Sequence, residues 1–132
     1  MPYPVYDVLL HDGHNPIKEW AQELGKTELG ILNQKLDLLH LHGSDLPPNL
    51  LSDSQSPRIK KLRINGTRAL RLLLCLGPID VHSEFTLLHG CIEKDRKLPE
   101  GSIACAEERR QKIIENLLKR VSHERVSKKT AR

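Results

Sequence analysis

Aromatic side chains are scarce: one Trp, two Tyr and one Phe in 132 residues. A surface that stacks on nucleic-acid bases has little to draw on. Trp20, the single tryptophan, falls on an apolar helical stripe and reads as a core residue. No apolar run approaches the ~20 residues of a membrane helix, so no partner in a membrane is expected. The three cysteines, Cys75, Cys91 and Cys105, include no C-x-x-C pair. Odd in number and set in apolar or helical surroundings, they read as reduced structural thiols of a cytoplasmic protein. Met1-Pro2-Tyr3-Pro4 lacks the basic start of an export signal, which fits the same compartment. No His/Cys/Asp spacing makes a metal site. There is no Ser-His-Asp constellation, no glycine-rich phosphate loop and no dinucleotide fingerprint. Serine hydrolases, P-loop enzymes and nicotinamide-dependent dehydrogenases are thereby disfavoured, and no cofactor is expected. His11 and His14 fall in a loop, and His40 and His42, two apart at a helix end, do not share a helical face.

What is present is an uneven charge. The net charge is +4, but residues 1–57 hold three Lys/Arg against eight Asp/Glu. Residues 58–97 hold nine against four, and residues 98–132 nine against five. An acidic front and a basic remainder point to an anionic partner for the second half. The length fits one domain with a modest core.

The elements follow from punctuation and period. Val5 to Leu10 is a short run of β-formers broken by His11-Asp12-Gly13, an N-terminal strand. Asn15-Pro16 starts a helix carrying Ile17, Trp20, Ala21 and Leu24, stopped by Gly25. Thr27 is placed to cap a second helix, with Leu29, Leu32, Leu36 and Leu39 as its stripe and Gly43 as its end. The two should form an antiparallel helical hairpin. Residues 43–57 are rich in turn formers and read as a loop, pinned by Leu50-Leu51. Then come three strands, 59–64, 68–76 and 85–92, the first two joined by the hairpin signal Asn65-Gly66. Lys61 and Arg63 alternate with Leu62 and Ile64. Arg71, Leu73 and Cys75 alternate with Leu70, Leu72, Leu74 and Leu76. A long helix is expected from Gly101, capped by Ser102, with Ile103, Ala106, Arg110, Ile113, Leu117 and Val121 on one side. The pattern fades after Ser122. The domain is therefore bounded at 1–121, with 122–132 a basic, disordered tail.

The chain turns on the stretch from Phe85 to Pro99. An apolar strand passes through His89-Gly90 and ends in a turn carrying Lys94, Arg96 and Lys97. Strand, glycine and clustered cations in succession suggest a strand end that presents positive charge to an anion. Arg63 and Arg71 on neighbouring strands are placed to clamp a phosphate in bidentate fashion, and the bland alternative is that both are solvated or paired with carboxylates.

Leu87-Leu88-His89-Gly90-Cys91-Ile92-Glu93-Lys94-Asp95-Arg96-Lys97-Leu98-Pro99 resembles the "LLHGF-KK-x-x-K-x-P" signature of phage-derived RelE/HigB-like toxins of bacterial toxin–antitoxin systems. Leu62-Arg63-Ile64 and Leu70-Arg71-Leu72 resemble that family's "E-L-R" and "Y-R-V-x-Y" strands. Glu93 stands where the first lysine would be, Cys91 replaces an aromatic, and the aromatics of the second strand are missing. The resemblance covers most of residues 4–120. It implies an α+β, RelE-like fold: an N-terminal strand and helical hairpin, an antiparallel sheet and a C-terminal helix. It implies an mRNA endoribonuclease acting on ribosome-bound transcripts through 2′-OH attack on phosphate. The implied catalytic set is Arg63, Arg71, Lys94, Lys97 and His89, with Lys61, Arg68 and Arg96 as further RNA contacts. Lys94 or Lys97, each depressed by cationic neighbours, or His89 would be the base. The implied partners are mRNA, the ribosome and a cognate antitoxin of helix-turn-helix type. The alternative is a catalytically inactive RelE-like module that regulates by binding RNA or protein.

Overall fold

The structure is a computed structural model, and it describes residues 3–128. It is an α+β fold: β1 (Val5–Leu9), α1 (Pro16–Gln22), α2 (Lys26–His42), a 3-10 turn (Gly43–Asp45), β2 (Leu51–Asp53), β3 (Lys60–Asn65), β4 (Ala69–Leu76), β5 (Phe85–Glu93), α3 (Ser102–Ile114) and β6 (Lys119–Ser122). One six-stranded sheet has the order β2-β3-β4-β5-β1-β6. It is mixed rather than purely antiparallel, because β1 returns parallel to β5, with Val5 opposite Phe85.

Local chemistry sets the elements. The Asn15 side chain accepts hydrogen bonds from the N–H groups of Ile17 and Lys18, with Pro16 at the first helical position. Asn15 also donates to Asp7 at 2.8 Å, tying the helix start to β1. Gly25, not Thr27, stands at the cap of α2. In β3 and β4 the alternating pattern holds: Leu62 pairs with Leu72 and Arg63 with Arg71 across the ladder.

Two cores result. On one face Leu62, Ile64, Leu70, Leu72, Leu74, Phe85 and Leu87 meet Ile17 and Ala21 of α1 and Leu29, Leu32, Leu36 and Leu39 of α2. On the other face Val8, Ile59, Leu73, Cys75, Leu88 and Cys91 meet Ala106 and Ile113 of α3. The pattern slips once: the β4–β5 register shifts at Leu73/Leu74. This bulge puts Leu88 and His89 in succession on the α3 side, while Gly90 lies under the Trp20 ring of α1. A side chain at Gly90 would overlap that indole. Trp20 is therefore packing, as its spacing suggested.

Three expectations need correction. The loop 43–57 contains β2, which pairs with β3 from Leu51 opposite Leu62. The C-terminal helix does not reach Val121. It stops at Ile114, and Asn116 takes a positive φ of 62°. The Leu117 N–H reaches back to the Lys112 carbonyl and the Asn116 N–H to that of Ile113, a helix end usually built with glycine. The chain then forms β6 against β1. Finally, residues 122–128 are not a disordered tail. The His123 ring bonds Asp7 at 2.8 Å, the Asn33 amide exchanges two hydrogen bonds with the Val126 backbone, and Val126 is buried. Residues 129–132 of the expected tail lie outside the described residues. Among the described residues no helix is long and apolar enough to cross a membrane.

Candidate functional site

Strand β1 pairs with β5 only at Phe85–Leu87, so the outer edge of β5 beyond that point carries no strand among the described residues. A cleft of about 660 Å³ opens along this edge. Trp20 bounds it from the α1 side, Ser102 and Cys105 from the start of α3, and Lys94, Lys97 and Pro99 from the turn that follows β5. His89 and Cys91 project into it from the strand.

The turn is unusually tight. Lys94 and Lys97 exchange backbone hydrogen bonds of 3.0 and 2.9 Å around Asp95-Arg96. Asp95 has φ 53° and Arg96 φ 63°. A two-residue hairpin of this hand needs positive φ at both central positions, which normally selects Asn-Gly. Arg96 pays a steric cost there, of order 1 kcal/mol. The arrangement fixes Lys94 directly across from Lys97, so two ammonium groups flank one mouth. On the far side of the turn a second groove of about 380 Å³ is lined by Lys61, Arg96, Lys97 and Glu93.

His89 is half-buried. Its Nδ1 lies 3.7 Å from Cys105 Sγ. Burial, reinforced by the Arg109 guanidinium, holds its pKa below the ordinary histidine value. The imidazole is therefore neutral at pH 7 and able to accept a proton. Arg109 is itself held by the Leu88 carbonyl at 2.8 Å.

The structure thus brings His89, Lys94 and Lys97 together at one cleft, with Lys61 and Arg96 on the adjoining groove. It does not bring the arginines to them. Arg63 and Arg71 are cross-strand partners on one face, yet Arg71 is only 4 % exposed. Its guanidinium bonds Glu93 at 3.1 Å, Asn65 at 3.1 Å and the Leu70 carbonyl at 2.8 Å. A phosphate clamp built on Arg71 fails, because the carboxylate of Glu93 already holds that position. Arg63 stands apart on β3, with Nε 3.3 Å from the Ser52 hydroxyl. Arg68 points to the other face, where Glu28 takes it in two hydrogen bonds of 3.2 and 2.7 Å, so it is not a free RNA contact. The hydrogen bond from Arg68 keeps the Glu28 carboxyl below its usual range.

Cys105, by its spacing an isolated structural thiol, stands instead beside His89. Its link to His89 depends on the bulge and on how α3 docks, and neither leaves a mark in residue spacing. Gly90, a glycine inside a strand, was the available signal for irregular backbone.

Comparison of the chain with protein-family models, with curated proteins and with solved structures finds no match.

Proposed function

We propose that this chain is an RNA-directed toxin of the RelE/HigB type, an mRNA endoribonuclease whose working site is the cleft at the end of β5. The observation that carries the reading is the convergence of His89, Lys94 and Lys97 on one open cleft. In this reading neutral His89 accepts the 2′-OH proton as that oxygen attacks the adjacent phosphate. Lys94 and Lys97 stabilise the added charge on the phosphoryl oxygens. The P–O5′ bond breaks, the departing 5′-oxygen takes a proton from solvent to become a 5′-hydroxyl, the other fragment keeps a 2′,3′-cyclic phosphate, and His89 returns its proton to solvent. Lys61 and Arg96 hold neighbouring phosphates from the second groove. Ribosome-bound transcripts are the proposed substrate, and a helix-turn-helix antitoxin that covers the cleft is the proposed inhibitor.

A second reading is favoured by the pairing of Arg71 with Glu93 and by the scarcity of aromatics: a regulatory module that binds RNA or protein without cleaving. Incubation of the purified chain with single-stranded RNA separates the two. Cyclic-phosphate ends that disappear in His89→Gln, with RNA still bound, support the enzyme. Binding without cleavage, in a chain whose induced expression does not arrest growth, supports the module.

A further inference from the structure

The three thiols of this chain occupy three different environments. Cys75 is fully buried between the sheet and α3, and burial pushes its thiol up to about 12. Cys91 is 7 % exposed, and burial raises it more than a hydrogen bond with Ser102 lowers it. Cys105 is partly exposed, stands one turn into α3, and has the His89 ring nitrogen 3.7 Å from its sulfur. Its thiol lines the cleft.

Only the thiolate is a nucleophile, so reactivity needs an acceptor for the proton and a positive surrounding. Both are present. His89 is kept neutral by burial and by Arg109, and its Nδ1 lies within hydrogen-bonding reach of Sγ. The charged and titratable groups about the pair are Arg109, Glu108 and Lys112 from α3, Lys94 and Lys97 from the turn, Glu100 from the loop before α3, Cys91 from β5 and His11 from the loop after β1, with Lys112 and Glu108 paired to each other. Cations outnumber carboxylates around the pair. The cleft volume of about 660 Å³ is that of a small-molecule site.

We propose that Cys105, with His89 as its base, is a reactive thiol that takes low-molecular-weight disulfides from the cleft into a mixed disulfide. His89 Nδ1 accepts the Sγ proton. The thiolate attacks one sulfur of the R–S–S–R molecule; the Cys105 S–S bond forms as the original S–S bond breaks. The departing thiolate takes the proton from the imidazolium and leaves as R–SH. The small disulfide is the sole oxidant, and atoms and electrons balance. The proposal goes beyond the RNA reading and does not rest on it.

The test uses the folded full chain and dithiobis-nitrobenzoate as the disulfide. The expected result is one equivalent of released thiolate per native chain, with the adduct mapped by peptide mass to Cys105. Cys75 and Cys91 should react only after unfolding in denaturant. First labelling at Cys91, or no labelling of the native chain, overturns the proposal. His89→Gln should slow the reaction at pH 7 about tenfold, while Cys75→Ala leaves the rate unchanged. The wild-type profile alone decides the role of His89 if the variant does not fold. A rate that persists below neutrality supports it, and one that rises only through the ordinary thiol range near ~8.5 overturns it.

Discussion

The two faces of β4 divide the work of this protein. Toward α1 and α2 the strand presents Leu70, Leu72 and Leu74, all fully buried, under two helices. Toward α3 it presents Arg71, Leu73 and Cys75, under one helix of 13 residues. That helix spans roughly 20 Å. It lies on β4 and β5, and it leaves Lys61 and Arg63 of β3 outside its apolar core. Along β4 the first face is closed and wholly apolar. The second buries polar pairs and opens at the end of β5 into the cleft. The period-two alternation of one strand thus separates an all-leucine face from one that carries Arg71 and Cys75.

The largest effect should come from the closed face. Leu72→Ala removes a fully buried side chain between the sheet and the helical hairpin, and denaturant unfolding should show a loss of about 3–4 kcal/mol. The polar face breaks differently. Glu93→Ala strands the Arg71 guanidinium and should cost about 3 kcal/mol. Replacing both partners, Arg71→Met with Glu93→Leu, should return stability to within about 1 kcal/mol of the wild type, since the pair is not a net source of stability. A double variant as weak as the single one would erase the distinction between the faces. At the turn the effect is smaller and of opposite sign. Asp95→Asn with Arg96→Gly suits the positive φ values and should stabilise the chain by about 1 kcal/mol.

Acid sharpens the comparison further. The folded chain holds His89 below its unfolded pKa, so the unfolded state binds more protons there and stability falls as pH drops below ~6.5. The Glu28 carboxyl, held low by Arg68, adds its own loss only as pH falls below ~4.3. Melting curves of His89→Gln should lack the first decline and keep the second. The smallest stability change belongs to the cleft rim: Lys94→Ala and Lys97→Ala should each stay within ~0.5 kcal/mol of the wild type.

Much of the fold was legible because its signals are local. Asn15-Pro16, the alternation of β3 and β4, and Asn65-Gly66 each specify backbone over a few residues. What was illegible depends on contacts far apart in sequence. The extension of helical spacing through Leu117 and Val121 hid β6, because Asn116 does the work of a glycine at the helix end. The tail from Ser122 looked polar and free, yet it is held by Asp7 and Asn33, more than 90 residues away. At the site, the joining of His89 to Lys94 and Lys97 followed from their closeness in sequence, on β5 and the turn after it. The loss of Arg71 to Glu93 did not, because a diagonal cross-strand pair decides it: Glu93 lies opposite Ala69, two residues along from Cys91, the partner of Arg71.

We propose that the end of β5 is where this chain meets RNA. The direct measurement is an amide-resolved NMR titration with a short single-stranded oligonucleotide carrying 2′-deoxy sugars, which binds and cannot be cleaved by 2′-OH attack. The account predicts shifts confined to His89, the Lys94–Lys97 turn and the first turn of α3, with affinity lost in Lys94→Ala and falling with salt. Shifts centred on Arg63 and β2, or no shifts at low salt, would contradict it.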